Sequence, residues 1–143
     1  MSSKIAIYPG SFDPWHQGHE QILLKALKLF DFVYVIVSIN PDKNNQGNIQ
    51  QRYQNVFKQT QNIKNVKVLI NEKDFIANIA KKLNSNFIIR SGRDIQDFTY
   101  ELELAAGNKI LNPDLETILI IPNYDDIKFS STLERHKEKL KNV

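Results

Sequence analysis

Gly10-Ser11-Phe12-Asp13-Pro14-Trp15-His16-Gln17-Gly18-His19 follows directly on a strand-like segment, Lys4 to Tyr8. The run opens with a phosphate-loop-like turn and closes with a His-x-Gly-His pair. Gly10 allows a tight turn out of the strand. Gly18 removes a side chain where a ligand could approach the start of a helix. His16 and His19 are three residues apart, so both can face one way at a helix N-terminus. That end of a helix carries a partial positive charge and N–H groups suited to phosphate. The only other histidine, His136, stands in a polar tail. The alternative, a plain strand–turn–helix with incidental histidines, stays open on these residues alone.

Outward from this run the pattern alternates strand and helix. Ile5 to Tyr8 reads as a buried strand, and Gln17 to Phe30 carries Ile22, Leu23, Ala26, Leu27 and Phe30 at helical spacing. Phe32 to Ile39 is a second strand, rich in valine and isoleucine. Asn40 to Asn48 is a polar loop broken by Pro41 and Gly47. A helix over Ile49 to Gln61 has Tyr53, Val56 and Phe57 as its apolar stripe, and Val66 to Ile70 is a third strand. Asp74 is placed to N-cap a helix through Leu83, with Phe75, Ile76, Ile79, Ala80 and Leu83 inward. Phe87 to Ile89 is a short strand ending at Arg90. The helix after it, Ile95 to Ile110, has Ile95, Phe98, Leu102 and Ala105 on one face. Leu115 to Ile121 is a fifth strand, and Ser131 to Leu140 a polar helix. This alternation predicts an α/β fold: a single Rossmann-like, doubly wound domain over residues 1–143, with a five-stranded parallel sheet flanked by helices. Ligands in such sheets bind at the carboxyl ends of the strands, and the candidate polar residues follow strands one, two, four and five.

The chain has 143 residues, enough for one domain with a core that needs no staples. It has no cysteine, which excludes disulfides and thiolate metal sites and fits a reducing cytoplasm. No apolar run approaches the ~20 residues of a membrane span. Met1-Ser2-Ser3-Lys4 passes straight into a strand, so neither a leader nor a membrane partner is expected, and the expected location is cytoplasmic. The net charge of +3 suits an anionic substrate. It also admits weak nucleic-acid binding, but the basic residues are dispersed and not interleaved with aromatics, so no nucleic-acid partner is expected. Arginine occurs only at Arg52, Arg90, Arg93 and Arg135. Its planar fork suits phosphate oxygens, which singles out the close pair Arg90 and Arg93.

Tyr8-Pro9-Gly10-Ser11-Phe12-Asp13-Pro14 followed by His16-Gln17-Gly18-His19 resembles the signature of the nucleotidyltransferase superfamily. Ile89-Arg90-Ser91-Gly92-Arg93, then Asp97 to Glu101, resembles the strand-four motif of the bacterial-type phosphopantetheine adenylyltransferases. Asn108, the segment Leu111 to Thr117, and Phe129-Ser130-Ser131-Thr132-Leu133 continue that likeness over nearly the whole chain. The resemblance implies transfer of the adenylyl group of ATP to 4′-phosphopantetheine, giving dephospho-coenzyme A and pyrophosphate. It also implies Mg²⁺ as a counter-ion on the ATP phosphates, a homohexamer, and coenzyme A as a candidate feedback ligand.

By the same resemblance His19 stabilises the α-phosphate in the transition state, with Lys43 and Arg93 as further catalytic cations. Ser11, Lys43, Ile76 and Arg90 contact the acceptor. ATP falls to Gly10, Ser11, Phe12, His16, Gly18, His19, Arg90, Ser91, Gly92, Arg93 and Glu101, and to Asp126, Ile127, Lys128, Phe129, Ser130, Ser131 and Thr132. Glu101 is expected to face the same way as Arg93, two turns on, as a nucleotide contact. Asp13 is expected to fix a turn before Pro14 and not to bind metal. The chain departs from the family at Arg90-Ser91-Gly92-Arg93, where the usual order is Arg-Gly-hydrophobic-Arg. Histidine stands at position 16 where threonine is common, and Trp15 is a bulky neighbour that would cover the acceptor entrance. The nearest rival acceptors are nicotinate mononucleotide and polyol phosphates; the Asp97-to-Glu101 segment argues against them.

Overall fold

Alternate residues of the first strand, β1 (Ile5–Gly10), enter two different cores. Ala6 and Tyr8 join Leu23, Val35, Val56 and Ile89 on one face; Ile7 joins Ile36, Ala77, Ala80 and Ile88 on the other. A strand covered on both faces must be apolar throughout, which is why Ile5-Ala6-Ile7-Tyr8 shows no polar alternation. The computed structural model describes residues 3–42, 47–123 and 132–140.

The remaining elements are α1 (Gln17–Ala26), β2 (Phe32–Ser38), α2 (Ile49–Thr60), β3 (Val66–Asn71), α3 (Ile76–Lys82), β4 (Phe87–Arg90), α4 (Ile95–Leu111), β5 (Glu116–Leu119) and α5 (Thr132–Leu140). The five strands form one sheet in the order β3-β2-β1-β4-β5, and every pairing is parallel. The chain winds outward from β1 through β2 to β3, then returns to β4 on the other side of β1. Beyond Ile7↔Ile88 the ladder between β1 and β4 ends, while β1 and β2 stay in register to Gly10↔Val37. The two central strands therefore part at their carboxyl ends, and that crevice is the switch point where such sheets take ligands.

Several boundaries differ from the sequence expectation for local reasons. The α1 helix stops at Ala26, because Leu29 and Phe30 both donate their N–H to the Ala26 carbonyl and tighten the last turn. Asp74 is not the N-cap of α3. Its Oδ1 accepts from Phe75 N and Asn78 Nδ2, and its Oδ2 from Lys82 Nζ, so the helix begins one residue later, with Phe75 as cap. The side-chain hydrogen bond from Asn78, then that from Lys82, hold the Asp74 carboxyl below the usual range. Phe75 consequently points to solvent, and Ala77 takes the inner position. The larger difference is α4: Ile95, Phe98 and Leu102 are exposed on the single chain, and Glu101 is the helix's one buried residue among those described.

Candidate active site

The loop after β1 is built around the ring of Phe12. Its backbone is left-handed, with φ of 48°, a region non-glycine residues occupy only when the surroundings hold them there. Burial does so: the ring meets Tyr8 and His19 edge-on at 5.2 and 5.1 Å and lies 5.0 Å from Trp15. Gly10 makes room for this fold-back, since a Cβ there would stand 2.9 Å from the Phe12 ring. Trp15 is buried in the same cluster, 5.4 Å from the His19 ring. It walls the imidazole.

The two histidines have separate jobs. His16 is the N-cap of α1, and its Nδ1 accepts from Gly18 N at 3.1 Å. The His16 backbone N–H in turn donates to His19 Nδ1 at 3.1 Å, and the two rings stack at 3.8 Å. This is a capping box in which histidines stand where a serine and a glutamate usually do. Because His19 Nδ1 accepts, the proton of the neutral ring sits on Nε2, and the tautomer follows from that hydrogen bond. Gly18 serves the cap: a Cβ there would lie 2.9 Å from His16 Cε1. The space at Gly18 is taken by the His16 ring and is not left for a ligand.

Across the crevice, Arg90 closes the end of β4. Its Nη1 donates to the Pro9 carbonyl at 2.7 Å, joining the two strands where their ladder has ended. Its Nε and Nη2 donate to Glu101 Oε1 and Oε2 at 2.7 and 2.8 Å. The pair is bidentate, with Glu101 only 5% and the Arg90 side chain 24% exposed. Glu101 thus does not share a direction with Arg93; it turns inward and orients Arg90. Arg93 is exposed and pairs with Asp97 at 3.5 Å, while its N–H donates to Asp97 Oδ2. Ser91 and Gly92 are half-buried between the two arginines. Burial pushes the Tyr8 phenol well above its ordinary range; the charge of Arg90 opposes the shift and that of Glu101 adds to it.

Ser11 is half-buried directly after β1, and Ile76 opens α3 packed against the Ile7–Ile36 core. Lys43, Asp126, Ile127, Lys128, Phe129, Ser130 and Ser131 lie outside the described residues, and Thr132 begins α5. Three links here were not expected from the sequence. Asp13 Oδ2 accepts from Gly47 N at 2.7 Å, so Asp13 ties two loops together and does more than fix its own turn. Tyr100 donates its hydroxyl to Asp42 Oδ2 at 3.1 Å; burial and this hydrogen bond raise the phenol's pKa. Arg52, only 4% exposed, reaches three backbone carbonyls. A signal for it was present: Arg52 shares a helical face with Val56 and Thr60, both buried.

The sheet order, the crevice and the histidine cap define a class, and comparison with known proteins gives the same one. The sequence model of the cytidylyltransferase-like family matches residues 7–137, and the chain belongs to that family. Solved structures agree in fold. A lipopolysaccharide core biosynthesis protein from Thermoplasma volcanium superposes with TM-score 0.60 at 18% identity, covering 90% of this chain and 100% of that one. The NadR protein in complex with NAD and AMP-PNP gives TM-score 0.59 at 22% identity, covering 96% of this chain and 43% of that one. Nearer relatives are more specific. The phosphopantetheine adenylyltransferase of Mycoplasma capricolum is 46% identical over 94% of this chain and 96% of its own length. That of Buchnera aphidicola from Acyrthosiphon pisum is 40% identical, over 97% and 84% respectively. Within the wider family, the chain belongs among the phosphopantetheine adenylyltransferases.

Proposed function

We propose that the chain transfers the adenylyl group of ATP reversibly to 4′-phosphopantetheine, releasing pyrophosphate and forming dephospho-coenzyme A, a step of coenzyme A biosynthesis. The observation that carries the reading is the full-length likeness to the Mycoplasma and Buchnera enzymes, since a shared fold alone does not assign a substrate. The site chemistry supports it. An acceptor phosphate oxygen attacks the α-phosphorus in line, and the bond to the bridging oxygen of pyrophosphate breaks. Such a transfer needs positioning and charge stabilisation, with no covalent intermediate on the enzyme.

His19 Nε2–H donates to an α-phosphate oxygen as charge gathers there. Its ring is held beforehand by the His16 N–H and by Phe12 and Trp15, so little reorganisation accompanies the reaction. Ser11 and the Phe12 backbone face the same phosphate. Arg90, aimed by Glu101, holds the acceptor phosphate together with Lys43, and Ile76 lines the pantetheine arm. Arg93 takes the ATP phosphates, with the segment Asp126 to Thr132 completing the triphosphate site. Among the described residues the donor set does not suit a magnesium ion held by the protein. Among the described residues no group of three metal-ligating side chains converges. Three described carboxylates are also engaged, Asp13 with Gly47, Asp42 with Tyr100 and Glu101 with Arg90. Mg²⁺ in this reading arrives as the counter-ion of ATP, and no protein residue is assigned to it.

The exposed row Ile95, Phe98 and Leu102, with Ile95 84% exposed, supports burial against further copies of the chain, as a homohexamer. A cytoplasmic location belongs to the same reading; among the described residues no helix is long and apolar enough to cross a membrane. The deciding experiment is pyrophosphate release from ATP with 4′-phosphopantetheine, run beside nicotinate mononucleotide. Release with the first acceptor alone is expected. Release with the second alone would overturn the assignment.

A further inference from the structure

Arg52 stands in the first turn of α2, and its side chain has no assigned role in the reaction. Its guanidinium is nonetheless placed behind the site. Nη1 donates to the Ser11 carbonyl at 2.6 Å and to the Ser38 carbonyl at 3.0 Å, and Nε donates to the Gly47 carbonyl at 3.0 Å. These three carbonyls belong to the turn after β1, the last residue of β2 and the residue before the α2 cap. Among the described residues Arg52 makes no ion pair, so the buried cation is solvated by backbone dipoles. Asp13 braces the same junction from the outer side through Gly47 N.

We propose that Arg52 is a positioning residue for the transfer: it fixes the Ser11–Phe12 turn against both ends of the segment from Ser38 to Gly47. The inference rests on the adenylyl-transfer reading above. In that reading Ser11 and Phe12 flank the α-phosphate, so the carbonyl that Arg52 holds belongs to the turn that meets the reacting group. One planar fork therefore sets where that turn stands relative to the end of β2 and the residue before the α2 cap. Lysine keeps the charge, but its donors radiate from a single nitrogen and cannot span the same three carbonyls.

The test is Arg52→Lys, assayed by pyrophosphate release with each substrate varied and with the folded fraction fixed by circular dichroism. A misplacement of about 1 Å in reacting groups lowers rates on the order of 100-fold. The expected result is a kcat loss of about 10- to 100-fold, with KM for ATP within about threefold of the wild type. A purely structural arginine would lower the melting temperature and leave kcat per folded molecule unchanged; that result overturns the proposal. Should Arg52→Lys fail to fold, Asp13→Ala decides, because it loosens the same junction from an exposed position. A kcat drop supports the proposal, and an unchanged kcat overturns it. Wild-type enzyme without pyrophosphate release would instead remove the reading on which the inference rests, so the two failures are distinct.

Discussion

Replacing Glu101 by glutamine should release Arg90, and the size of the effect can be worked from the pair's geometry. The carboxylate accepts Nε at 2.7 Å and Nη2 at 2.8 Å from a nearly buried position. Glutamine keeps one acceptor oxygen but sets an NH₂ group against an arginine N–H. Removing one partner of a buried pair costs about 3–5 kcal/mol. The Arg90 side chain is 24% exposed and can recover part of its hydration, which brings the figure to about 2–3 kcal/mol. For a chain of this size that is a fall in melting temperature of about 5–10 °C. The kinetic signature matters more. An Arg90 held only by the Pro9 carbonyl no longer presents a fixed fork to the acceptor phosphate. KM for 4′-phosphopantetheine should rise about tenfold, equivalent to about 1.4 kcal/mol, with KM for ATP little changed. Thermal denaturation and pyrophosphate release with the acceptor varied measure both. An unchanged melting temperature with a rise confined to the KM for ATP would refute this reasoning. It would restore Glu101 as a nucleotide contact.

Three other substitutions probe separate parts of the structure. His19→Ala should lower kcat about 100- to 1000-fold while KM for ATP stays nearly constant, because its contact strengthens in the transition state; equal losses in both would count against that role. Gly18→Ala should drive the His16 ring from its cap and lower kcat about tenfold, read by pyrophosphate release. Its melting temperature should hardly move, since the lost cap and the gained helix propensity are each about 1 kcal/mol and opposed; unchanged kcat would show that the cap does not position His19. Asp74 has a carboxyl pKa lowered by Asn78 and Lys82, so its contribution is present above the unfolded pKa of about 4 and lost as pH falls through the folded value. The stability gap between wild type and Asp74→Asn should therefore narrow in acid denaturation below about pH 4, and a gap constant across the range would contradict the shift.

Much of the architecture could be read directly from the chain because both faces of the sheet are covered. The runs at Ile5–Tyr8 and Phe32–Ile39 are apolar without alternation, which only a buried parallel strand explains. The strand–turn–helix junction at the His-x-Gly-His run was equally plain because it is local, but the histidine cap that fills the space at Gly18 could not be read from it. What could not be read depends on distant partners. Periodicity placed Ile95, Phe98 and Leu102 on one face of α4 but carries no information on whether that face meets the sheet, water or another molecule. Glu101 was assigned a direction from helical spacing alone. Its true partner lies eleven residues away on β4, and the Arg90 fork competes for both its oxygens. Arg52 is hard to single out in the sequence, because a lone arginine in a polar helix is usually solvated. Its position in register with Val56 and Thr60 was the only local sign that it turns inward.

The anchoring of α4 by Glu101 bears on which residues aim Arg90 and which do not. Arg90 receives its direction from a helix and from the Pro9 carbonyl, not from the residues that follow it. The connection Ser91-Gly92 is thereby relieved of aiming the arginine, and its glycine does not occupy a left-handed conformation. A glycine displaced by one place, as in Arg90-Ser91-Gly92-Arg93, therefore leaves the direction of Arg90 set by the same two partners. The Arg90–Glu101 couple is different, because a change in either partner strands the other.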